Sequence, residues 1–259
     1  AVALVLVGCA SPVAEEEHHH VTAPTINTEE AVPATYGGTL LNAPLTDEIS
    51  NISFTDQFGK AFTLKDFAGE TVVLTNFLTS CQDAGPLTSL NFKQLALNVG
   101  KSTMQDDVTF IEITVDPETD NSARLKAYAD VFGFTPNVLL ATSTAANLDK
   151  LWNYFGVPAT KHVLTKADLD FYNNDWQTNA EPQFHFMHAN LVAVIDANLT
   201  WRWMQSGNPD VATLQLPEVM QNFLSPDGKA MLKQHDQFTW KIQQVISAIE
   251  DVMGHKIIF

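Results

Sequence analysis

The chain contains only two cysteines, Cys9 and Cys81, and their surroundings have nothing in common, so a disulfide between them is not expected. Positive charge is scarce as well: 14 Lys and Arg stand against 30 Asp and Glu, a formal net charge of -16. Such a surface repels phosphate backbones, and no basic stripe interleaved with aromatics offsets it, so nucleic acid is not expected as a partner. The acidity suits a solvated surface first, and a surface that attracts cations or basic partners second. Long apolar runs are missing too, for AVALVLV at the start is too short to span a bilayer. What the chain does hold is core material. With 45% hydrophobic residues in 259, it can build one large domain or two small ones.

AVALVLVGC resembles the tail of a signal segment ending in a bacterial lipobox, which makes Cys9 the expected site of lipidation and residues 1–9 the remnant of that segment. The competing reading of residues 1–8 is a short buried strand. Residues 10–45, rich in Glu, Thr, Ala and Pro, show no sustained period and are expected to form a flexible tether. Within it His18, His19 and His20 could bind a transition metal weakly, or serve only as solvated filler.

From residue 46 the punctuation changes. ISFTDQFGKAFT is expected to form two short strands around a turn at Asp56 to Gly59, followed by a brief helical turn. TVVLTNFLT (71–79) has the continuous β-branched character of a strand buried on both faces. A helix carrying Leu87, Leu90, Leu95 and Leu97 should follow, with Pro86 in its first turn and Gly100 at its end. VTFIEITVD (108–116) predicts a second buried strand, SARLKAYADVFG a helix stopped by Gly133, NVLLAT a third strand, and TAANLDKLWNYFG a helix closed by Gly156. FHFMHANLVAVID and LTWRWMQSG should pair as a hairpin around Ala197 and Asn198. A helix is expected near Asp210 to Leu224, and SPDG as a turn. In the last segment Phe238, Ile242, Val245, Ile246, Ile249 and Met253 share one helical face that must dock on the domain or on a partner. Strands alternating with helices argue for an α/β fold, a central mixed sheet flanked by helices, with a domain at 46–225 and a helical extension at 226–259.

Cys81 lies where a strand turns into a helix, in LTSCQDAGPLTS. Free N–H groups and the helix dipole at such a corner favour thiolate, so Cys81 is a candidate reactive or metal-binding thiol. The alternative is an inert buried cysteine. Asp83, Glu118 and Asp120 are adequately explained as a helix cap and a loop surface, and Trp201 and Trp203, at alternate strand positions, as packing residues.

Three segments in order, NISFTDQFGKAFTLKDFAGETVVLTNFLTSCQDAGPLTSLNFKQL, FIEITVDPETDNSARLKAYADVFG and HANLVAVIDANLTWRW, resemble the SCO/SenC proteins over about residues 50–224. These are thioredoxin-fold copper chaperones of cytochrome c oxidase assembly. The resemblance implies a thioredoxin-like fold and Cu(I) held by two cysteines of a T-x-C-x-x-x-C-P element and by a distant histidine. Thr79, Cys81 and Pro86 match that element, His188 matches the histidine, and Asp116 and Pro117 match an Asp-Pro after the second core strand. The second cysteine position holds Gly85.

Cu(I) favours soft thiolate and imidazole donors, so Cys81 with His188 leaves a two-ligand site. Met187, His185 or a tether histidine are the auxiliary donors at hand, although in a regular strand positions 185 and 187 would face away from His188. His185 and His188 are also readable as ordinary hydrogen-bonded residues near a sheet end, the preferred reading for His185. A lone thiol lacks a resolving partner, so dithiol oxidoreductase activity is disfavoured and the protein is expected not to be an enzyme. By resemblance the partner is a copper-site subunit of cytochrome c oxidase or another copper protein, and the location the extracytoplasmic face of a bacterial membrane, through a lipid anchor. The other readings are a copper-independent thioredoxin-fold interaction protein and a single-cysteine redox sensor.

Overall fold

The structure, a computed structural model, describes residues 31–211, 214–233 and 240–257. Cys9, His18, His19, His20 and Phe238 lie outside the described residues.

β5 (Thr71–Phe77) is buried at all seven positions and lies inside the sheet, between β10 (Leu191–Ile195) and β6 (Val108–Thr114). Its alternation assigns Val73 and Phe77 to one core and Val72 and Leu74 to the other. β6 runs parallel to β5, and β7 (Val138–Thr142) runs parallel to β6. β10 pairs antiparallel with β5 and, through the expected hairpin, with β11 (Thr200–Ser206). β3 (Phe54–Asp56) and β4 (Ala61–Phe62) close the far edge beside β7. The first core takes α2 (Ala84–Val99) and α3 (Ser122–Phe132); the second takes α1 (Asp47–Ser50) and α4 (Ala145–Tyr154). Helices on both faces of a mixed sheet are the expected architecture.

Four boundaries differ from expectation. The tether read over 10–45 ends earlier, because β1 (Val32–Pro33) and β2 (Thr39–Pro44) join the sheet, β2 pairing with β11. TLLNAP is too short to show a period, yet it satisfies an open strand edge. The helix read from Asp210 shrinks to α5 (Glu218–Phe223), since Pro217 occupies its cap and cannot donate to an earlier turn. SPDG opens α6 (Pro226–Met231), with the Ser225 hydroxyl accepting from Gly228 N at 3.1 Å and Pro226 in the first turn. The segment FHFM leaves the hairpin strand as β9 (Phe184–Met187), which pairs with β8 (Thr160–Val163) in a separate ribbon.

The final helix, α7 (Ile242–Met253), docks on the domain itself, burying Val245, Ile246, Ala248 and Ile249 against α2, β5 and β10. Each large side chain so buried contributes about 1.5–3 kcal/mol. Trp201 and Trp203 are both fully buried, but in opposite cores. Residues two apart normally share a face; the register shift between them in the β11–β2 pairing breaks that rule. Trp203 also lies so close to Gly38, at φ 77°, that a Cβ there would fall 2.4 Å from the indole nitrogen.

One of the buried acids lies against the first core. Glu112, on β6, faces α2 and α3 with no exposed surface; it accepts from the Ser89 hydroxyl at 2.7 Å, and its other oxygen has no partner. Burial pushes its carboxyl up to about 8 from an ordinary 4.5. Between these pH values the folded chain holds a proton that the unfolded chain has released, so stability falls as pH rises and the loss is complete above about 8. Glu112→Gln should therefore gain roughly 3–5 kcal/mol over the wild type between about pH 5 and pH 8. Thermal melts of both proteins across that range check this; a parallel pair of curves would refute it.

Candidate functional site

Strand β5 delivers the chain to the Cys81 corner, and a buried polar network holds it there. The Thr79 hydroxyl donates to Asp120 and accepts from Arg124 Nε, while Thr79 N donates to Asp120 at 3.1 Å. Asp120 also accepts from the Thr114 hydroxyl and has no exposed surface, so it is a structural anchor rather than the loop-surface residue expected. Its burial pushes the carboxyl up to about 6, against the hydrogen bonds it receives. Arg124 goes on to Asp175, which the guanidinium and the Thr178 contacts hold at about 2 against its own burial. Trp176 Nε1 donates to the carbonyl of Thr79 at 2.9 Å.

The next residues are clamped from the other side. Gln82 and Asn173 exchange two hydrogen bonds, Gln82 Nε2 to Asn173 O at 2.7 Å and Asn173 N to Gln82 Oε1 at 2.8 Å. Ser225 donates through its hydroxyl to Asp83 and through its N–H to Gln82 O. α6 approaches so closely that a Cβ on Gly228 would lie 2.3 Å from Gln82 O. Asp83, expected to cap α2, makes no side-chain cap bond there and serves this clamp instead.

Cys81 is partly exposed, on the wall of a cavity of about 700 Å³ that His185, Met187 and His188 also line. Gly85 N donates to its sulfur at 3.2 Å, as a helix start should. Burial nevertheless outweighs that help. Together with the charge of Asp83 it pushes the thiol up to about 11, so the expected activated thiolate is corrected to a protonated thiol. Gly85 lies against the thiol: a Cβ there would be 2.6 Å from Cys81 Cβ and 2.9 Å from its sulfur.

His188 stands in the loop between β9 and β10. Asn76, the lone amide of β5, fixes it: Asn76 Oδ1 accepts from Leu191 N, and Nδ2 lies 2.7 Å from Ala189 O and 3.0 Å from His188 Nδ1. Burial holds the imidazole below its ordinary value, hence neutral and able to ligate. His185 and Met187 line the cavity from the preceding strand, and His185 Nδ1 has no hydrogen-bond partner, which corrects its reading as an ordinary bonded residue. Asp116 is fully buried and caps the 116–119 turn, accepting from Glu118 N and Thr119 N at 3.1 Å, with Pro117 inside that turn. Pro86 is buried in the first turn of α2. Among the described residues no group of three or more His, Cys, Asp or Glu side chains could hold a metal ion.

Asn76, Arg124, Asn173, Asp175 and Trp176 were not singled out from sequence. An amide inside an apolar strand was a signal for Asn76, and Arg124 is one of only two arginines in the chain.

A family model described as SCO1/SenC matches residues 43–204. The SCO1 protein homolog of Bacillus subtilis (strain 168) is 32% identical over 98 residues, 36% of this chain and 47% of that protein. The match thus spans about half the length of that relative. Among solved structures, the apo Sco1 protein of Thermus thermophilus superposes with a TM-score of 0.52 at 18% identity, covering 85% of this chain and 98% of that one. The copper-bound ScoI of Arabidopsis thaliana superposes with a TM-score of 0.50 at 17% identity, covering 64% and 88%. The fold is thioredoxin-like, as expected.

Alkylation of Cys81 by iodoacetamide should therefore be slower than that of an unstructured cysteine between about pH 7 and 9, and should rise through an apparent pKa of about 11. Asp83→Asn should lower that midpoint. A wild-type midpoint below about 8.5 would mean that the helix start outweighs burial.

Proposed function

The chain belongs to the SCO1/SenC family, and from that premise we propose that it carries Cu(I) as cargo between Cys81 and His188 and serves the assembly of a copper site, that of cytochrome c oxidase by family resemblance. The observation that carries the reading is that Cys81 and His188 line one cavity, each held by a partly buried hydrogen bond. One thiolate and one imidazole suit Cu(I), and the thiol loses its proton on binding. The cavity also brings Met187 and His185 to the same wall as further donors.

The missing second thiolate at Gly85 makes the site weaker than a Cys, Cys, His set. It also leaves no resolving thiol, so the protein is not a dithiol oxidoreductase and acts as a carrier rather than an enzyme. The raised thiol counts against a redox sensor. Gly85 is the observation that favours a second reading, an interaction protein that keeps the fold and no longer takes copper. In either case Cys9 is the lipidated residue, and the tether holds the domain at the extracytoplasmic face of a bacterial membrane. Among the described residues no helix is long and apolar enough to cross a membrane.

Competition against a Cu(I) chelator separates the two readings. Cys81→Ser and His188→Ala should each weaken binding by more than about tenfold, and Gly85→Cys should strengthen it once Cys81 turns away from the new Cβ. Wild-type binding no tighter than that of the double variant would establish the copper-independent reading. For the anchor, mass spectrometry of the protein from native membranes should find a diacylglyceryl adduct on Cys9; an unmodified Cys9 removes that part of the proposal.

A further inference from the structure

The β8–β9 ribbon sets His185, on the wall of the Cys81 cavity, against a histidine that does not line that cavity, His162. Its register sets His162 directly opposite His185 and Thr160 opposite Met187. Directly opposed residues of an antiparallel pair project from the same face, with Cβ atoms about 4.5–5.5 Å apart. The two imidazole rings indeed lie with centroids 5.0 Å apart and planes inclined by 33°. The other face is occupied differently: Lys161 lies 3.8 Å from the Phe184 ring centroid and pairs with Glu118, and Phe186 packs on the second core.

We infer that the facing imidazoles of His162 and His185 form a metal site of their own, for a divalent transition-metal ion such as Cu2+. Three observations bear on it beyond the spacing. His185 Nδ1 is shut off from solvent with no hydrogen-bond partner, a cost that is removed when the ring turns to let that nitrogen ligate an ion. Tyr172 stands on His185 with ring centroids 5.3 Å apart, so the ring is held on one side while His162 faces it. Asp83 and Asp168 lie close enough to act electrostatically on His185, though more weakly than its burial and the charge of His162. Asp168 is already engaged by the Thr165 N–H and hydroxyl at 2.7 Å, which makes it an outer partner and leaves the two imidazoles as the protein ligands.

Rings at this separation suit one ion with metal–nitrogen bonds of about 2.0–2.1 Å, water filling the remaining positions. Cu2+ binds imidazole most tightly among the common divalent first-row ions. Met187 follows His185 on the same ribbon face, 56% exposed, immediately before His188. The second site therefore opens on the cavity of the first, although nothing in it depends on Cys81.

The test is a Cu2+ titration of the full chain in a background that removes competing donors: His18→Ala, His19→Ala, His20→Ala, Cys9→Ser and Cys81→Ser. Electron paramagnetic resonance should show one equivalent of Cu2+ with nitrogen couplings. His162→Ala, a change at an exposed side chain, and His185→Gln should each weaken binding by at least about tenfold, and His188→Ala should leave it in place. Unchanged binding in His162→Ala, or binding lost in His188→Ala alone, would overturn the inference. Because both cysteines are absent throughout, failure of the Cu(I) reading at Cys81 leaves this result untouched.

Discussion

The contact on which the site depends is that of Thr79 with Asp120. A carboxylate without exposed surface is costly unless its oxygens are bonded and its charge is paired. Asp120 meets both conditions through Thr79, Thr114 and the Arg124 guanidinium 3.6 Å away. Those partners come from the end of β5, the end of β6 and the first turn of α3, so one side chain ties together the three elements that form the corner. Breaking such a pair from one side typically costs 3–5 kcal/mol, far more than any surface ion pair here could return. Arg124 extends the tie to Asp175 and Trp176, so the long connection between β8 and β9 is held to the same point.

The Cys81 loop is consequently held from several sides. Thr79 is anchored below it, Gln82 and Asp83 are clamped by Asn173 and Ser225, and Gly85 presses against the sulfur. A loop held this firmly can keep a thiol in place with a single donor. The same enclosure raises the cost of ionising that thiol, so the tightness that orients Cys81 also keeps it protonated until something replaces the proton. A soft cation does so directly, whereas an oxidant must find a thiolate that is scarce.

Much of the fold was legible because periodicity survives in single elements. The seven buried residues of β5 and the one-sided apolar face of α7 announce themselves without reference to partners. β2 and the β8–β9 ribbon do not, since six and four residues carry no usable period and the ribbon is largely exposed. Asp120 looked like a loop residue because VDPETDN has turn composition; its burial comes from Arg124 and Thr79, and only the folded chain brings Thr79 there from 41 positions away. The register between β8 and β9 that pairs His162 with His185 is likewise a tertiary fact, for they are 23 positions apart and nothing local links the two. Cys81 stood out by its place at a strand end and His188 only through the family resemblance, whereas the state of the thiol had no signal, because desolvation is a property of the packed cavity wall.

Asn76 limits how His188 can meet an ion. Its oxygen is taken by Leu191 N, so the amide cannot turn, and its two N–H groups point at Ala189 O and at His188 Nδ1. With Nδ1 accepting, the ring proton belongs on Nε2, which then has no lone pair for a metal. An ion at Nε2 requires the proton to move to Nδ1, where the Ala189 carbonyl at 3.1 Å is placed to accept it. That carbonyl already receives an Asn76 N–H, and the other Asn76 N–H then faces a donor instead of an acceptor. The Ala189 carbonyl has two lone pairs and can accept from both Asn76 Nδ2 and His188 Nδ1, so the tension in that tautomer lies between the two N–H donors that face each other.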